Sequence, residues 1–170
     1  MKITPTTVVD FKQAQPEDLP VVVEILAEAA VWLQNKGIDQ WPAPIPPHRQ
    51  QRLADQIARG ELYTVGIVKN RFGIVALSWQ DAYWPDDNLA GYVHRMAIRS
   101  EMHGQNLGSM ILFWAMMQVK RAGKQFLRLD CAAGNGRLRQ YFEAQEFHFR
   151  GLVTDRDYQA ALYEKELPTF

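Results

Sequence analysis

This 170-residue sequence has one cysteine, no excess of charge of either sign and no long hydrophobic run. The single cysteine, Cys131, excludes an internal disulfide and is typical of a reducing compartment. Nineteen basic and nineteen acidic side chains give zero net charge, so no global field attracts nucleic acid or an anionic membrane. The N-terminus lacks a signal-peptide run, and no window approaches the roughly twenty apolar residues of a membrane span. We therefore expect a soluble, unprocessed cytoplasmic protein without a nucleic-acid or membrane partner.

The chain is long enough, and at 47% hydrophobic residues apolar enough, for one globular domain with its own core. The proline-rich stretch 41–47 is too short and too hydrophobic to be a free linker, so we predict a single domain over residues 1–170.

Cys131 lies in a run predicted as a strand. A packed core thiol is favoured there over a nucleophile, because no nearby histidine can be identified from the sequence.

Helical and strand patterns alternate along the chain. Predicted strands cover residues 8–13, 62–68, 72–79, 91–98, 126–131, 147–153 and 158–167. Predicted helices begin at Pro16, cover 48–59 and 135–145, and include a long helix that begins near 104–107. The triplet 69–71 is typical of a hairpin turn. Hairpins combined with a β-loop-α-β crossover predict an α/β fold of the mixed α+β kind, with a mixed, mostly antiparallel sheet flanked by helices.

The segment 96–108 joins an apolar strand end, a short polar loop and the small-residue turn that opens the long helix. One buried stripe of that helix is predicted from the helical spacing of Leu107, Met110, Ile111, Trp114 and Met117. Free N–H groups and the helix dipole at its first turn favour a phosphate, and Gly104 and Gly108 lack side chains that would hold a diphosphate away. An ordinary strand-to-helix turn that needs glycines for packing fits the same residues.

Three segments in order resemble the GNAT superfamily of acyl-CoA-dependent N-acyltransferases. They are 92–98 (YVHRMAI), 103–108 (HGQNLG), and 129–135 (LDCAAGN) followed by 141–147 (YFEAQEF). The early helix that ends in 32–41 and the last strand at 162–165 extend the resemblance over most of the chain. It implies a GNAT-like enzyme that moves an acetyl group from acetyl-CoA to a primary amine of a small molecule or peptide by direct attack. A non-catalytic acyl-CoA-binding sensor or assembly module is the alternative.

The resemblance also implies a coenzyme site. The pyrophosphate would bind the loop residues His103, Gly104, Gln105, Asn106, Leu107, Gly108 and Ser109. The pantetheine arm would pair like an added strand with Met96, Ala97 and Ile98. Asn135, whose position also suits a helix N-cap, and Leu138 on the same helix would contact the coenzyme as well.

Two loop residues depart from the family pattern. His103 stands where the family usually has arginine or glutamine, and a histidine is mostly neutral at pH 7, so its phosphate contact should weaken as pH rises. Asn106 occupies the position where the family's loop motif has its first glycine. Asparagine is the second-best residue for a left-handed backbone, so we expect the turn to be kept.

Two side chains are candidates for proton transfer. In the family a tyrosine at Tyr141 directs its hydroxyl to the coenzyme sulfur, where it can donate to the departing thiolate; a core aromatic is the alternative. His94, on the strand that leads to the coenzyme site, is the best single candidate for the base. A sheet histidine bonded to a neighbour, a water relayed through a carboxylate, or capture of the free amine would fit as well.

Other chemistries have little support in the sequence. The four histidines show no spacing typical of a metal site, so we expect no metal. No serine lies in a nucleophile-elbow sequence, which disfavours hydrolase chemistry. The oligomeric state is open, with a homodimer among the options.

Four aromatic residues lie in segments that form the acceptor wall in the family, namely Trp32, Trp41, Tyr83 and Trp84. We expect Trp32 to be core and Trp84 to line the cleft or lie at the surface. Asp86 and Asp87 could attract a cationic amine, although a solvated acidic turn is the simpler interpretation.

Overall fold

Seven strands and four α-helices are distributed along residues 1–169, the part of the chain that the computed structural model describes. The strands are β1 (Asp10–Gln13), β2 (Leu62–Ile67), β3 (Asn70–Ser78), β4 (Ala90–Ile98), β5 (Phe126–Ala132), β6 (His148–Asp155) and β7 (Tyr158–Glu166). The helices are α1 (Leu19–Asn35), α2 (Pro47–Ala58), α3 (Leu107–Arg121) and α4 (Gly136–Ala144). Short 3₁₀ turns at Pro16–Asp18 and Ser100–Met102 precede α1 and α3.

The strands form one sheet in the order β1-β2-β3-β4-β5-β7-β6. Neighbours β1 and β2, β2 and β3, β5 and β7, and β6 and β7 run antiparallel. The pair β4 and β5 is parallel, and its register runs from Ala90↔Phe126 to Val93↔Leu129. The predicted α/β fold class with a mixed, mostly antiparallel sheet flanked by helices is confirmed. Within residues 1–169, no helix is both long and apolar enough to cross a membrane.

By internal contacts the chain divides into two units, the first formed by residues 1–76 and 95–111. Its core is built on one face of α1, where apolar residues recur at helical spacing and pack against α2 and the strands. Large buried side chains of this core include Val22, Ile25, Leu26, Leu53, Leu62 and Ile74. Glu28 of α1 lies outside this core and binds the chain just after β4, which positions the start of the following loop.

The second unit comprises residues 77–94 and those from 112 onward. Its core includes an aromatic cluster in which the ring of Phe142 lies 5.9 Å from the rings of both Phe147 and Tyr163. A buried ion pair joins neighbouring strands, with Arg128 Nε 2.7 Å from Glu164 Oε2. Removing one partner of such a pair leaves an uncompensated buried charge, so the two side chains depend on each other.

Several predicted elements need correction. The first strand begins at Asp10 rather than residue 8, and Val8 is largely exposed. The hairpin turn is Val68-Lys69 rather than 69–71, because Asn70 already pairs with Ile67 across the sheet. Asparagine suits turns, but Asn70 is here the first residue of β3, and Arg71 lies in the same strand. The tighter turn puts a β-branched residue in a left-handed conformation, with φ +53° at Val68.

The buried stripe of α3 also differs from the prediction. Leu107 and Ile111 are buried as expected, whereas Met110, Trp114 and Met117 are only half-buried. The other buried positions are Leu112, Ala115 and Val119. The prediction counted only large apolar side chains and therefore missed Ala115, whose small size suits a closely packed position. The predicted stripe is rotated around the helix axis relative to the buried face that the structure shows.

The close packing around Gly91 leads to a prediction about the free energy of unfolding. A Cβ at this position of β4 would collide with Cγ2 of Val119, which is fully buried, and would lie 3.1 Å from Trp79. Because Val119 is stiff at χ1, we expect Gly91→Ala to lower the free energy of unfolding by about 1–3 kcal/mol. Gly134→Ala, where a Cβ meets nothing within 4 Å, is the matched control and should change stability little. Urea unfolding of both variants measures the difference, and equal midpoints would contradict the packing argument.

Candidate active site

The loop between β4 and α3 turns through two left-handed residues. Gly104 has φ +77° and Asn106 has φ +60°, and α3 begins at the next residue, Leu107. The expectation that asparagine supports the left-handed turn is therefore confirmed. A Cβ at Gly104 would meet nothing within 4 Å, so this position borders open space. The first N–H groups of a helix have no intrahelical acceptor, which makes the end of this loop suited to an anion.

Side chains of the loop hold it to the rest of the first unit. Gln105 Oε1 accepts a hydrogen bond from the Ile3 N–H at 2.6 Å, and Gln105 Nε2 donates to the Met1 carbonyl at 3.0 Å. Glu28 accepts from the Ser100 N–H at 2.8 Å and from Arg99 at 2.9 Å. Burial acts to raise the pKa of Glu28, but these hydrogen bonds outweigh it and the pKa is lowered. The loop is thus fixed at both ends.

The imidazole of His103 folds back toward β4. Its Nε2 lies 3.0 Å from the Ile98 carbonyl oxygen, so the ring N–H donates to that carbonyl. Its ring also packs edge-on against Trp32, with centroids 4.8 Å apart. The prediction that Trp32 is core is wrong. The indole is half-buried because it lies near the end of α1, between His103 and the Lys36 ammonium, which is 5.6 Å from its centroid.

His94 lies between two carboxylates in the second unit. Its Nε2 is 3.0 Å from Asp81 Oδ2, and its Nδ1 is 4.0 Å from Asp130 Oδ1. Asp81 follows β3 and is oriented by the Tyr83 N–H, which donates to Oδ1 at 2.7 Å. Asp130 comes from β5 at the residue after Leu129, where the parallel pairing with β4 ends. The structure thus gives His94 a bonded neighbour and a second carboxylate within reach.

The two carboxylates differ in their proton affinity. Burial acts to raise the pKa of Asp81, but the hydrogen bonds from His94 and from the Tyr83 N–H lower it overall. Burial dominates at Asp130 and raises its pKa, even though the charge of His94 acts in the opposite direction. Asp81 is therefore suited to stay ionised and orient the imidazole, while Asp130 is the more basic oxygen acceptor.

Sequence spacing gave no sign of this cluster, because its members come from a loop and two strands. One ligand atom from each of Asp81, His94 and Asp130 lies within 4.8 Å of the others, and together they could supply three ligands to a divalent cation. The hydrogen bond between His94 and Asp81 accounts for their approach without one. The signal that could have found Asp130 is the parallel register of β4 and β5, which puts it beside His94.

Two tyrosines lie near the cluster. The Tyr83 hydroxyl donates to Asp155 Oδ2 at 3.2 Å, and burial together with this bond raises the pKa of Tyr83 to about 12. Burial, followed by the charge of Asp130, raises the pKa of Tyr158. Both phenols therefore stay protonated at neutral pH and can donate hydrogen bonds.

A cavity of about 400 Å³ borders the same carboxylate, Asp81. Its lining residues are Gln80, Asp81, Ala82, Trp84, Pro85, Asp86 and Tyr92. Trp84 lines a cleft as predicted, and the guanidinium of Arg128 stacks 4.8 Å from its ring centre. Asp87 is not the solvated acidic group that the sequence suggested. Its Oδ2 lies 2.7 Å from Arg128 Nη2, and this hydrogen bond lowers its pKa.

Three candidate site residues belong to α4. Asn135 is its N-cap, and Leu138 and Tyr141 lie in its first two turns. Asn135 is buried and its Oδ1 accepts from the Leu138 N–H at 3.1 Å, which confirms the N-cap. Tyr141 is half-buried, and its ring lies 5.9 Å from that of Phe142. Cys131 is 1% exposed, and burial raises its pKa to about 11. The interpretation of a packed, protonated thiol therefore holds.

Comparison with known proteins agrees with the fold. Residues 29–149 match the model of the acetyltransferase (GNAT) family. The chain belongs to this family of acetyltransferases. It is similar over 176 aligned residues to the uncharacterized N-acetyltransferase YesJ of Bacillus subtilis, with 27% identity over 98% of this chain and 96% of that protein.

Solved structures share the fold at low sequence identity. A GNAT-family acetyltransferase of Listeria monocytogenes matches with a TM-score of 0.77 and 24% identity, over 98% of this chain and 100% of that one. One from Streptococcus agalactiae gives a TM-score of 0.80 at 18% identity, over 95% and 96% of the two chains. The Salmonella typhimurium protein yncA, solved with its cofactor acetyl-CoA, gives 0.68 at 13% identity, over 95% of each chain.

Proposed function

We propose that this protein transfers an acetyl group from acetyl-CoA to a primary amine by direct attack. The observation that carries the proposal is the imidazole of His94, held at Nε2 by Asp81 and facing Asp130 through Nδ1. An alkylammonium, with a reference pKa near 10.4, has no lone pair for attack and needs such a base. Family membership supports acetyl-CoA as the donor.

The geometry around His94 suits deprotonation of an amine. With the N–H at Nε2 donated to Asp81, the lone pair at Nδ1 is the acceptor. A nitrogen could lie ~2.8 Å from both Nδ1 and Asp130 Oδ1, since those two atoms are 4.0 Å apart. His94 takes the ammonium proton and becomes an imidazolium, which Asp81 stabilises. The neutral amine then attacks the acetyl carbonyl carbon.

Collapse of the resulting tetrahedral intermediate breaks the carbon–sulfur bond and releases the coenzyme thiolate. We assign the proton that this sulfur receives to the Tyr141 hydroxyl. The attacking nitrogen loses its second proton to solvent as the amide forms, and a proton from solvent restores the Tyr141 phenolate to the phenol. The products are the N-acetylated amine and free CoA, and the imidazolium of His94 returns its proton to solvent. A phenol need only donate as charge develops on sulfur, so Tyr141 acts late in the reaction.

We assign the coenzyme diphosphate to the left-handed loop and the first turn of α3. The residues are His103, Gly104, Gln105, Asn106, Leu107, Gly108 and Ser109. The hydrogen bonds that anchor Gln105 to Met1 and Ile3 suggest that it shapes the loop while the backbone N–H groups meet the phosphate. Met96, Ala97 and Ile98 bind the pantetheine arm, although the Ile98 carbonyl already accepts from His103. Asn135 and Leu138 complete the assignment.

The cavity beside Asp81 is the proposed acceptor pocket. Its aromatic rings, from Trp84 and Tyr92, and its carboxylates, from Asp81 and Asp86, suit an alkylammonium group. The carboxylates attract the cation and the rings accept its alkyl portion. Asp81 both lines this cavity and bonds His94, so an amine that enters it approaches the base.

The experiment that tests this function is an acetyl-CoA turnover screen over a panel of amines, with free thiol as the readout. The protein contributes little background because Cys131, its single cysteine, is buried. Release of CoA that depends on the amine would support the enzyme. Coenzyme binding without turnover of any amine would favour the sensor or assembly module instead.

Acetyl-CoA binding should also stabilise the fold. At a ligand concentration near one hundred times Kd, binding to the native state alone adds about 2.7 kcal/mol to the free energy of unfolding. Chemical denaturation with and without saturating acetyl-CoA measures this gain. The same titration on Gly108→Val, which adds bulk at the first turn of α3, should show a smaller gain. If neither acetyl-CoA nor CoA binds, the assignment of the loop is wrong.

A further inference from the structure

A row of basic side chains covers one face of α2 in the first unit. Arg49, Arg52 and Arg59 recur at positions i, i+3 and i+10, with Gln56 at i+7 between them. This spacing puts them on one side of the helix. Gln56 is 7% exposed, and its Oε1 accepts a hydrogen bond from Arg95 Nη1 at 2.7 Å. A fourth guanidinium, from β4, is thus fixed against the row.

The positive charge here is not balanced locally. Arg59 is paired with Glu61 at 3.0 Å, and Asp55 accepts a hydrogen bond from Gln51 at 3.0 Å. Within residues 1–169, neither Arg52 nor Arg95 has a carboxylate at ion-pair distance. Burial and then the repulsion of Arg52, Arg49 and Arg59 lower the pKa of Arg95. A chain with zero net charge therefore keeps a local excess of positive charge around a partly buried arginine.

These side chains surround a concave space large enough for a small anion. The cavity measures about 160 Å³ and is lined by Arg52, Asp55, Gln56, Arg59 and Arg95. Arg95 has a left-handed backbone with φ +48°, which is unusual for a non-glycine residue in a strand. Backbone strain of this kind is kept only where the surroundings enforce it.

The position of Arg95 in β4 indicates which ligand the cavity takes. It immediately precedes Met96–Ile98, which we assigned to the pantetheine arm, the part of the coenzyme that carries the acetyl group. The coenzyme diphosphate is assigned to the loop at 103–109. An anion at Arg95 therefore lies beside the acyl-bearing arm, where the acceptor approaches. It does not lie at the nucleotide end of the coenzyme.

We propose that the cavity between Arg95 and Arg52 binds an anionic group, a carboxylate or a phosphate, of the amine acceptor. Guanidinium groups bind both anions through paired N–H donors. This inference rests on the proposed acetyl transfer and narrows its acceptor to amines that also carry a negative charge. Arg52 is the group to remove in a test, because it is exposed on α2 and its loss leaves the bond between Arg95 and Gln56 intact.

The first experiment measures anion binding without turnover. The protein is saturated with CoA, so that the coenzyme phosphate sites are filled, and titrated separately with inorganic phosphate and with acetate at constant ionic strength. Arginine Nε–H resonances report binding. We expect a saturable shift for at least one anion, at least tenfold weaker binding in Arg52→Gln, and no change in Arg121→Gln, an exposed arginine at the end of α3. Absence of saturable binding, or equal binding in both variants, overturns the proposal.

The second experiment compares acceptors that differ by one charge. O-Phosphoethanolamine is paired with ethanolamine, and β-alanine with β-alaninamide. We expect a lower KM for the anionic member of at least one pair, an increase of about tenfold in that KM in Arg52→Gln, and an unchanged KM for acetyl-CoA. Turnover of the neutral members alone would refute the anion site while leaving acetyl transfer intact. If anions bind but no amine is acetylated, the proposed acetyl transfer is rejected and the anion site is retained.

Discussion

The His94→Gln variant is expected to turn over about 10²- to 10⁴-fold more slowly than the wild type, the range typical of a lost general base. Glutamine can keep a hydrogen bond to Asp81, which lies 3.0 Å from Nε2, but it supplies no basic nitrogen toward Asp130. The loss should appear in kcat, measured with any amine found in the screen, while acetyl-CoA affinity stays unchanged. Replacing the exposed His148 in the same way is the control and should have no effect.

The pH dependence separates a base from a structural histidine. Below the pKa of the amine, the free-amine fraction rises about tenfold for each pH unit. A variant that lacks only the base should therefore recover part of its activity as pH rises toward the pKa of the amine. A deficit that is constant with pH would point to a structural role for His94. A kcat equal to that of the wild type at all pH values would assign deprotonation to another group or to solvent.

Tyr141→Phe should have the second large effect. Phenylalanine keeps the ring that packs 5.9 Å from Phe142, so fold and coenzyme affinity should change little. If the hydroxyl protonates the departing thiolate, kcat should fall by about 10²- to 10⁴-fold with little change in the Kd for acetyl-CoA. Steady-state rates at several pH values, with Kd from titration, provide the measurement.

The three possible roles of Tyr141 give different results. A packing role would leave kcat unchanged across the pH range and leave the acid unidentified. A role in coenzyme binding would raise Kd and leave kcat at saturation near that of the wild type. Only the proposed acid lowers kcat at constant Kd.

Features set by neighbouring residues were well predicted from the sequence. The loop before α3 depends on two left-handed residues and a helix start, all within six positions, and Asn106 adopts the expected left-handed conformation. The N-cap at Asn135 is likewise local. Such features follow from backbone preferences of single residues, which a sequence displays directly.

Features set by distant residues were missed. Asp81 and Asp130 join His94 only after a loop and two strands are placed, and no spacing in the sequence encodes that approach. Trp32 packs against His103, which is 71 positions away along the chain. Asp87 likewise forms an ion pair with a residue distant in the sequence, Arg128. Pairing of charges across a fold is a tertiary outcome that composition and periodicity do not contain.

The buried thiol of Cys131 has a practical consequence for future work. With a pKa of about 11, only about one such thiol in ten thousand is ionised at pH 7, and the sulfur is also shielded from solvent. The natural chain therefore serves as a background in which one introduced surface cysteine is the only reactive thiol. Glu101, exposed in the turn before α3, is a site where a fluorophore attached in this way would lie close to the candidate coenzyme loop. Loop motion can then be followed in the otherwise unmodified protein.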